Sequence, residues 1–365
     1  MLLTSLKSYN RSQFIKDVTA GIIVAIIALP LSIALALASG VGPEAGIFTA
    51  IVAGFVISAL GGSSVQIAGP TAAFATIVAG IVAKDGMDGL VIATILAGIF
   101  LVLMGLCHFG SLIKFIPFTI TTGFTSGIAV TIVIGQLKDF FGLTYPDGVK
   151  PIETTEKFRA VVENFSTINI DALIVGAVSL AVLIIAPYIF KRIPGSLIAV
   201  IVGILMVQFL PLKVSTIGNL YTISNSLPSF HLPAVSLEVV QNALPNAFTI
   251  AVLAAIESLL SAVVSDGMIG DTHKSNAELI GQGLGNIFSG FFGGIPATGA
   301  IARTAANVRN GGRTPIAGIA HCITLTIILL VLMPLAALIP MTTLAAVLLV
   351  VAANMADWSS FFRLC

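Results

Sequence analysis

Long apolar runs separated by short polar connections make up most of the chain. Helical spans, which need roughly 20 apolar residues each, are predicted at about residues 18–39, 44–60, 88–107, 117–137, 172–190, 195–211, 244–266, 277–291, 316–339 and 341–355. Only 9% of the 365 residues are charged and 57% are hydrophobic, whereas soluble domains carry roughly 25% charged residues. The pattern predicts an all-α, polytopic membrane protein whose transmembrane domain covers residues 18–355.

The two ends of this domain are predicted to lie outside the membrane. Residues 1–17 are predicted to form a cytoplasmic amphipathic helix, and residues 356–365 a short C-terminal end. Because cytoplasmic flanks of spans carry an excess of Lys and Arg, the basic residues predict a multi-pass protein of the inner (plasma) membrane with a cytoplasmic N-terminus. In this orientation the basic residues near the span ends lie on the cytoplasmic side. They are Lys7, Arg11, Lys16, Lys114, Lys191, Arg192, Lys274, Arg309, Arg313 and Arg363. The loop with Lys150, Lys157 and Arg159 would lie outside and fits the rule less well.

Two segments interrupt the apolar pattern with glycine and proline. They are residues 69–71 in SVQIAGPTAAF and residues 295–297 in GGIPATGAIART, after which a helix is predicted to restart near Ala300 or Ile301. Broken backbone at membrane depth survives only where it lines a cavity, and a matched pair of interrupted segments points to a transporter binding site. Helix N-termini that face each other there would attract a small anion. The alternative is a pair of ordinary Gly/Pro kinks, which membrane helices tolerate.

One acidic residue, Glu257, falls near the middle of a long apolar run, AFTIAVLAAIESLLSAVV. An ionised carboxylate inside the membrane is costly on insertion scales, so a functional role is the default interpretation. Helical spacing places Ser261 on the same face as Glu257. The pair suits either a sodium ion, which needs several oxygens, or a proton carried by the carboxyl group. A purely structural carboxyl group bonded to a neighbouring backbone break is the alternative.

Arg303 lies within one turn of the predicted helix restart. Its planar guanidinium suits oxyanions, so we expect it to attract the anion. Snorkelling to the interface and a structural ion pair with Glu257 are the alternatives.

His321 is expected to be a hydrogen-bonded core residue. The formal net charge of +1 favours no nucleic-acid partner, and neither a nucleophile–base pair nor an HExxH motif indicates an enzyme.

Two long blocks of the sequence resemble the SulP (sulphate permease) family of anion transporters. The first block is GIIVAIIALPLSIALALASGVGPEAGIFTAIVAGFVISALGGSSVQIAGPTAAF, and the second is AIESLLSAVVSDGMIGDTHKSNAELIGQGLGNIFSGFFGGIPATGAIARTAANVRNGGRTP. The GPTAAF, AIESLL and AIAR runs are similar to those of one branch of the family, that of the bacterial C4-dicarboxylate transporter DauA. The bicarbonate transporters of the family resemble the chain more distantly.

The resemblance implies a 7+7-type, UraA-like fold of two inverted repeats with two half-helices. Such a fold is divided into a core (about 18–107 and 244–337) and a gate (about 111–211 and 341–355). The resemblance further implies that the substrate lies between the two half-helix N-termini and that the core moves in an elevator-like stroke. SulP members usually have fourteen membrane segments and a cytoplasmic STAS domain, whereas about twelve segments are predicted here. We therefore expect a chain truncated before the last two helices, with no STAS domain.

Carried over residue by residue, the resemblance implies a substrate site and a coupling-ion site. The implied substrate-binding residues are Thr71, Ala72, Gly299, Ala300, Ile301 and Arg303. The implied coupling-ion residues are Glu257 and Ser261, with Gly299 as a further contact for a possible Na+. Glu257 stands where a bicarbonate transporter of the family uses an aspartate for sodium. Ile301 replaces a threonine that helps to bind sodium in that relative, which favours proton coupling.

The expected function is therefore secondary active transport of a small oxyanion (sulphate, bicarbonate or a C4-dicarboxylate) by an elevator-type mechanism, as a symport with H+ or Na+. An uncoupled anion exchanger or channel of the same fold is the alternative. The expected partners are the oxyanion and the lipid bilayer, with a homodimer as a further possibility. No cofactor is expected beyond the coupling ion, and no enzymatic activity.

Overall fold

Helices form almost all of the computed structural model, which describes residues 2, 9–111, 118–146, 148–149, 151–190 and 193–355. The helices are α1 (Arg11–Ala38), α2 (Pro43–Leu60), α3 (Ala75–Leu106), α4 (Phe118–Phe141), α5 (Thr154–Glu163), α6 (Ile170–Ile189), α7 (Gly195–Phe209), α8 (Ile217–Leu220), α9 (Leu237–Ile269), α10 (Ser275–Phe291), α11 (Ile301–Arg309), α12 (Pro315–Ala336) and α13 (Met341–Met355). The strands are β1 (Ala68–Pro70) and β2 (Ala297–Gly299), and short 3-10 turns are Ala72–Phe74 and Phe165–Thr167. The predicted C-terminal end, 356–365, and most of the first eight residues lie outside the described residues.

The predicted spans correspond to observed helices whose boundaries differ by a few residues. The largest differences are at helix starts. α3 begins at Ala75, before the span predicted from about 88, α9 begins at Leu237, and α1 runs from Arg11 across the boundary predicted after residue 17. One helix, α5, lies inside a stretch predicted as a polar connection. Its sequence, TTEKFRAVVE, starts with a capping box in which Glu153 and Glu156 satisfy each other's backbone N–H groups, a signal for a helix start.

Six helices in the described part of the chain are long and apolar enough to cross a bilayer. They are α1, α2, α3 with its preceding 3-10 turn, α6, α9 and α12, while α7 and α13 are apolar but shorter. α3 is interrupted at Gly86, whose φ is +70°, a left-handed conformation that costs glycine no clash with a Cβ. The interruption separates the short helix predicted after Pro70 from the span predicted at about 88–107.

The chain divides into two compact units, of which the first comprises residues 1–115 and 225–331. In this unit α10 packs against α2 and α3, and α9 packs against α3. Glycines allow the close approach, because a Cβ on Gly283 would collide with the carbonyl oxygen of Gly98, and a Cβ on Gly98 with that of Gly283. Small residues at crossings are the usual means by which membrane helices pack tightly. The buried face of α9 is likewise rich in alanine, with Ala243, Ala247, Ala251, Ala254 and Ala255.

The second unit comprises residues 116–224 and 332–365. In its described part, α13 packs against α4, α6 and α7, and α6 packs against α7. A buried polar contact of 2.9 Å between Ser179 Oγ and Thr343 Oγ1 joins α6 to α13. Thr343 also lies against Gly203 of α7, where a Cβ would collide with its hydroxyl group. Helix α13 is therefore held among its neighbours by polar contacts as well as by apolar packing.

Helix α10 carries a buried polar face in the first unit. Its members recur every three or four residues and so share one side of the helix; they are Glu278, Gln282, Asn286 and Ser289. The Glu278 carboxylate accepts hydrogen bonds from the backbone N–H groups of Gly62 at 2.8 Å and Ser63 at 3.0 Å. It also accepts hydrogen bonds from the amide groups of Gln66 and Gln282, at 2.8 Å each. Four donors thus satisfy a carboxylate that is only 1% exposed.

The same polar face holds the backbone in and before both strands. Asn286 exchanges two hydrogen bonds with the backbone of Ala297 in β2, at 2.8 and 2.9 Å. Ser289 Oγ donates to the carbonyl oxygen of Ile295, just before β2, at 2.8 Å. Gln66, which Glu278 holds, precedes β1 and also donates to the carbonyl oxygen of Ser258 at 3.2 Å. Helix α10 therefore positions the two places where the chain leaves helical geometry.

Replacement of Glu278 by alanine is expected to destabilise the protein. Four donors would lose their acceptor, and one buried donor without a partner costs about 1–3 kcal/mol. We expect a loss of roughly 3 kcal/mol or more, seen as a clear fall in the apparent Tm of the full chain in detergent. Thermal unfolding monitored by size-exclusion chromatography of heated samples measures this change.

The matched control is Glu238→Ala, an exposed carboxylate in the first turn of α9 in the same unit. Its removal costs at most a favourable interaction with the helix N-terminus, about 0.3–1 kcal/mol. A Glu278→Ala protein that unfolds at the same temperature as the Glu238→Ala protein would contradict the structural role of Glu278.

Candidate functional site

The two interrupted segments meet as a pair of short strands. β1 and β2 are antiparallel, with Ala68 opposite Gly299, Gly69 opposite Thr298 and Pro70 opposite Ala297. All six residues are buried. Backbone groups that leave a helix at membrane depth need partners inside the protein, and each strand supplies them to the other. The observed strands confirm the predicted breaks at residues 69–71 and 295–297.

A helix begins immediately after each strand. Thr71 precedes the 3-10 turn that leads into α3, and Ala300 precedes α11, as predicted for a restart near Ala300 or Ile301. Because the strands are antiparallel, the chain leaves the pair at opposite ends, and each helix runs away from it. The unpaired N–H groups at both helix starts, which carry partial positive charge, are therefore directed towards the strand pair. The Ala300 N–H is partly used, since it donates to the carbonyl oxygen of Ile67 at 3.0 Å.

Helix α9 supplies a row of hydroxyl groups beside β2. Ser258 Oγ is hydrogen-bonded to Thr298 Oγ1 and accepts from the backbone N–H of Gly299 at 3.2 Å. One turn further, Ser261 Oγ donates to Thr304 Oγ1 at 3.2 Å, and Thr304 Oγ1 also accepts from the N–H of Ile67 at 3.1 Å. These contacts connect α9 to β2, to α11 and to the residue before β1.

Glu257 lies on α9 next to Thr71, which precedes the 3-10 turn and α3. Its Oε2 accepts a hydrogen bond from Thr71 Oγ1 at 3.0 Å, and the residue is 9% exposed. The structure therefore joins a predicted coupling residue to a predicted substrate residue. The Ser261 hydroxyl group, by contrast, is hydrogen-bonded to Thr304. Within the described ranges, no group of three or more His, Cys, Asp or Glu side chains is placed to hold a metal ion.

Arg303 is buried behind the first strand. The residue is 1% exposed, and its Nη2 donates to the carbonyl oxygen of Pro70 at 3.0 Å. The guanidinium lies against Gly69, where a Cβ would collide with Nη1. Nε and Nη1 have no hydrogen-bond partner among the residues that the structure describes. A buried guanidinium with two unused donors is costly, and an anion would satisfy them.

Both alternatives considered for Arg303 disagree with this geometry. Burial excludes snorkelling to an interface. No carboxylate oxygen of the described residues lies within 4.0 Å of the guanidinium, so Arg303 and Glu257 do not form a direct ion pair, although their charges interact electrostatically. The hydrogen bond expected for His321 is also absent: its ring is buried, and neither nitrogen has a partner in the described part of the chain.

The remaining predicted site residues lie at the strand pair. Gly299 is the last residue of β2, and a Cβ there would collide with the Gln66 side chain. Ala72 and Ala300 are buried, and Ile301 is half-buried. The sequence reasoning missed the residues that hold this arrangement, namely Gln66, Glu278, Asn286, Thr298 and Thr304. The four-residue spacing of Glu278, Gln282 and Asn286 could have revealed the two residues on α10, because a polar stripe on a membrane helix indicates a buried polar contact.

The chain matches one family of known sequences over almost its whole length. The profile described as "Sulfate permease family" matches residues 14–365. The chain is 42% identical over 357 residues to "Putative sulfate transporter YvdB" of Bacillus subtilis (strain 168), an alignment that covers 96% of this chain and 66% of YvdB. It is 34% identical over 358 residues to "Bicarbonate transporter BicA" of Picosynechococcus sp. (strain ATCC 27264 / PCC 7002 / PR-6), covering 95% and 62%. The chain thus spans less than two thirds of the length of these relatives.

Solved structures share the fold. The transmembrane domain of a cyanobacterium bicarbonate transporter BicA superposes with a TM-score of 0.89 at 29% identity, covering 97% of this chain and 91% of that one. The structure of SLC26A9 superposes with a TM-score of 0.87 at 22% identity, covering 99% and 61%, a likeness of fold alone. The expected all-α polytopic membrane fold is therefore confirmed. The profile, the relatives and the superpositions lead to one conclusion: the chain is a multi-pass membrane protein that belongs to the sulfate permease family, a family of transporters and not of enzymes.

Proposed function

We propose that this chain carries a small oxyanion across the membrane as a secondary active transporter, coupled to protons through Glu257. The observation that carries the proposal is the strand pair, where two helix starts and the buried, incompletely paired guanidinium of Arg303 occur together. Sulphate, bicarbonate and a C4-dicarboxylate are the candidate substrates. The site residues are those of the strand pair and helix starts: Thr71, Ala72, Gly299, Ala300, Ile301 and Arg303.

The anion part of the proposal rests on charge. Two helix N-termini supply partial positive charge and unpaired N–H groups. Arg303 adds a full positive charge, and two of its donor atoms have no partner in the part of the chain that the structure describes. The planar fork of a guanidinium matches the oxygen atoms of an oxyanion. Two relatives support the class: YvdB is named for sulfate and BicA for bicarbonate. The C4-dicarboxylate is a candidate on the sequence resemblance of the GPTAAF, AIESLL and AIAR runs.

The coupling part rests on the contact between Glu257 and Thr71. A sodium ion needs several oxygen ligands, and Ile301 has no side-chain oxygen to supply one. A proton needs only the carboxylate, which favours protons over sodium. When Glu257 is protonated and a monovalent anion such as bicarbonate is bound, the anion balances the charge of Arg303, which lowers the cost of moving the site through the membrane. A divalent anion leaves one negative charge, which the partial positive charges of the two helix starts offset in part. We infer that the unit with the strand pair makes this movement as a rigid body, in an elevator-type stroke.

The proposal extends to the membrane in which the protein lies, its orientation and its oligomeric state. The basic residues at the span ends support an inner (plasma) membrane location with the N-terminus in the cytoplasm. A homodimer remains a prediction, to be tested by the mass of the purified chain in detergent.

Glu257→Gln is expected to abolish proton-driven accumulation of the anion and to preserve exchange of internal for external anion. Glutamine resembles the protonated carboxyl group in shape and charge, so it retains the balanced state but cannot release a proton. Both activities are measured as uptake of labelled sulphate, bicarbonate and succinate into proteoliposomes. Imposed proton or sodium gradients measure accumulation, and unlabelled anion inside the proteoliposomes measures exchange.

Glu238→Gln, an exposed carboxylate on the same helix, is the matched control and should transport like wild type. Accumulation that needs a sodium gradient would contradict proton coupling. Gradient-independent flux that is identical in wild type and Glu257→Gln would make the chain an uncoupled exchanger or channel, with Glu257 structural.

Gly69→Ala is expected to weaken anion binding. The new methyl group would collide with the Arg303 Nη1 atom, so the guanidinium would have to move away from β1. Because hydrogen bonds to a charged group are worth about 1.5–3 kcal/mol, the KM for the transported anion should rise about tenfold or more.

The control for this substitution is Gly80→Ala on α3, where a Cβ has no heavy atom within 4 Å. Its KM and Tm should match those of wild type. An unchanged KM in Gly69→Ala would show that the position of the guanidinium does not matter for the anion.

A further inference from the structure

Three side chains form a hydrogen-bonded series where α9 is connected to α10. Asp266 lies in the last turn of α9, and Ser275 is the first residue of α10. Between them, Gly270 ends α9 with a φ of +70°, a left-handed conformation that turns the backbone out of the helix. His273 lies in the connection and contacts both side chains. The turn thus brings a carboxylate, an imidazole and a hydroxyl group together at the end of a predicted span.

The contacts of His273 determine which of its ring nitrogens carries the hydrogen. Nδ1 lies 2.7 Å from Asp266 Oδ2, and an ionised carboxylate can only accept a hydrogen bond. Nδ1 is therefore the donor, which leaves Nε2 of the neutral ring as an acceptor. Ser275 Oγ lies 2.9 Å from Nε2 and donates its hydroxyl hydrogen to it. The backbone N–H of His273 also donates to Asp266 Oδ2, at 2.9 Å, which holds the carboxylate in place.

This order of contacts activates a serine hydroxyl group. Such a group is a weak nucleophile until an adjacent base accepts its proton, and a third group must orient the base. Here Nε2 of His273 is the base, and Asp266 orients the ring. The side chains of His273 and Asp266 are 7% and 17% exposed, so water competes little for their contact. Ser275 is only partly buried, and the neighbouring Thr272 and Lys274 are exposed, which gives a small reagent access to this connection.

The position of Ser275 at a helix start adds to this activation. The N–H groups of the first turn of α10 carry partial positive charge. Attack by Ser275 Oγ on a carbonyl group creates a negatively charged oxygen, which helix starts stabilise. Lys274, the residue before the helix, makes no side-chain cap, so its side chain does not occupy these N–H groups. The base and the helix start thus favour the same reaction, the transfer of an acyl group to Oγ.

We propose that Ser275 is a reactive serine that accepts an acyl group from a small activated acyl compound, such as a thioester or an acyl phosphate. Ser275 Oγ forms a bond to the carbonyl carbon, and the bond from that carbon to the leaving sulfur or oxygen breaks. The hydroxyl proton moves to His273 Nε2 and from there to the leaving group. The product is an ester on the first residue of α10. The reaction modifies the chain once, and it shares no residue with the site proposed for the oxyanion.

Acetylation of the purified full chain in detergent by p-nitrophenyl acetate tests this proposal. The released p-nitrophenolate gives the amount of acetyl transferred, and peptide fragmentation in a mass spectrometer locates it. Alkaline hydroxylamine removes an ester from serine but leaves an amide on lysine, which distinguishes Ser275 from Lys274. We expect an ester at Ser275. Because a general base contributes about 10²–10⁴-fold, His273→Gln should slow its formation about 100-fold, and Asp266→Asn about tenfold or more.

Ser64 is the matched control within the same chain. Its Oγ donates to the carboxylate of Asp271 at 3.0 Å, so it has an acidic partner in the same connection but no histidine. It should be acetylated about 100-fold more slowly than Ser275. Equal rates at the two serines, or no ester at Ser275, would overturn the proposal and leave the cluster as a structural link between α9 and α10. Both outcomes are measured on the wild-type chain, so they do not depend on the folding of a variant. An unchanged rate in folded His273→Gln would overturn it as well.

Discussion

Backbone groups that leave a helix at membrane depth must find partners inside the protein, and this constraint organises the first unit. The chain leaves helical geometry at two places, and the two pieces of extended backbone pair with each other as β1 and β2. The pairing in turn determines where α11 and the 3-10 turn before α3 begin. It therefore also determines where the two helix N-termini direct their partial positive charges.

Polar side chains, and not apolar packing alone, hold the strand pair in place. Asn286 binds the backbone of Ala297 at the start of β2, and Ser258 accepts a hydrogen bond from the N–H of Gly299 at its end. Before β1, Thr304 accepts a hydrogen bond from the N–H of Ile67, and Glu278 accepts one from Gln66. Close helix crossings at glycine and alanine bring these polar groups within reach. In a membrane, where apolar packing alone does not distinguish the inside of the protein from lipid, such contacts give the fold its specificity.

The buried charges of the first unit differ in how completely they are satisfied. Asp17, at 0% exposure, accepts hydrogen bonds from several groups: Tyr9, Gln13, Arg313 and Thr314. Glu278 is equally well satisfied, so both carboxylates are structural. Glu257 has a hydrogen bond from Thr71, and Arg303 has two donor atoms without a partner among the residues that the structure describes. This incomplete satisfaction of Glu257 and Arg303 is the reason why we propose that a proton and a substrate bind there.

The sequence by itself determined the class of protein, most helix boundaries and the two breaks, and it singled out Glu257 and Arg303 as charges inside the membrane. It could do so because apolar run length, Gly/Pro interruptions and rare intramembrane charges are local properties of the chain. Only the tertiary structure decided that the two breaks pair in the register Gly69–Thr298, that Glu257 contacts Thr71 and not Arg303, and that Ser261 is bonded to Thr304. It also showed Glu278 as a structural carboxylate and His321 without a hydrogen-bond partner among the residues that it describes. These facts concern residues that are distant in sequence, and hydrogen bonds between them depend on side-chain directions that no local pattern specifies.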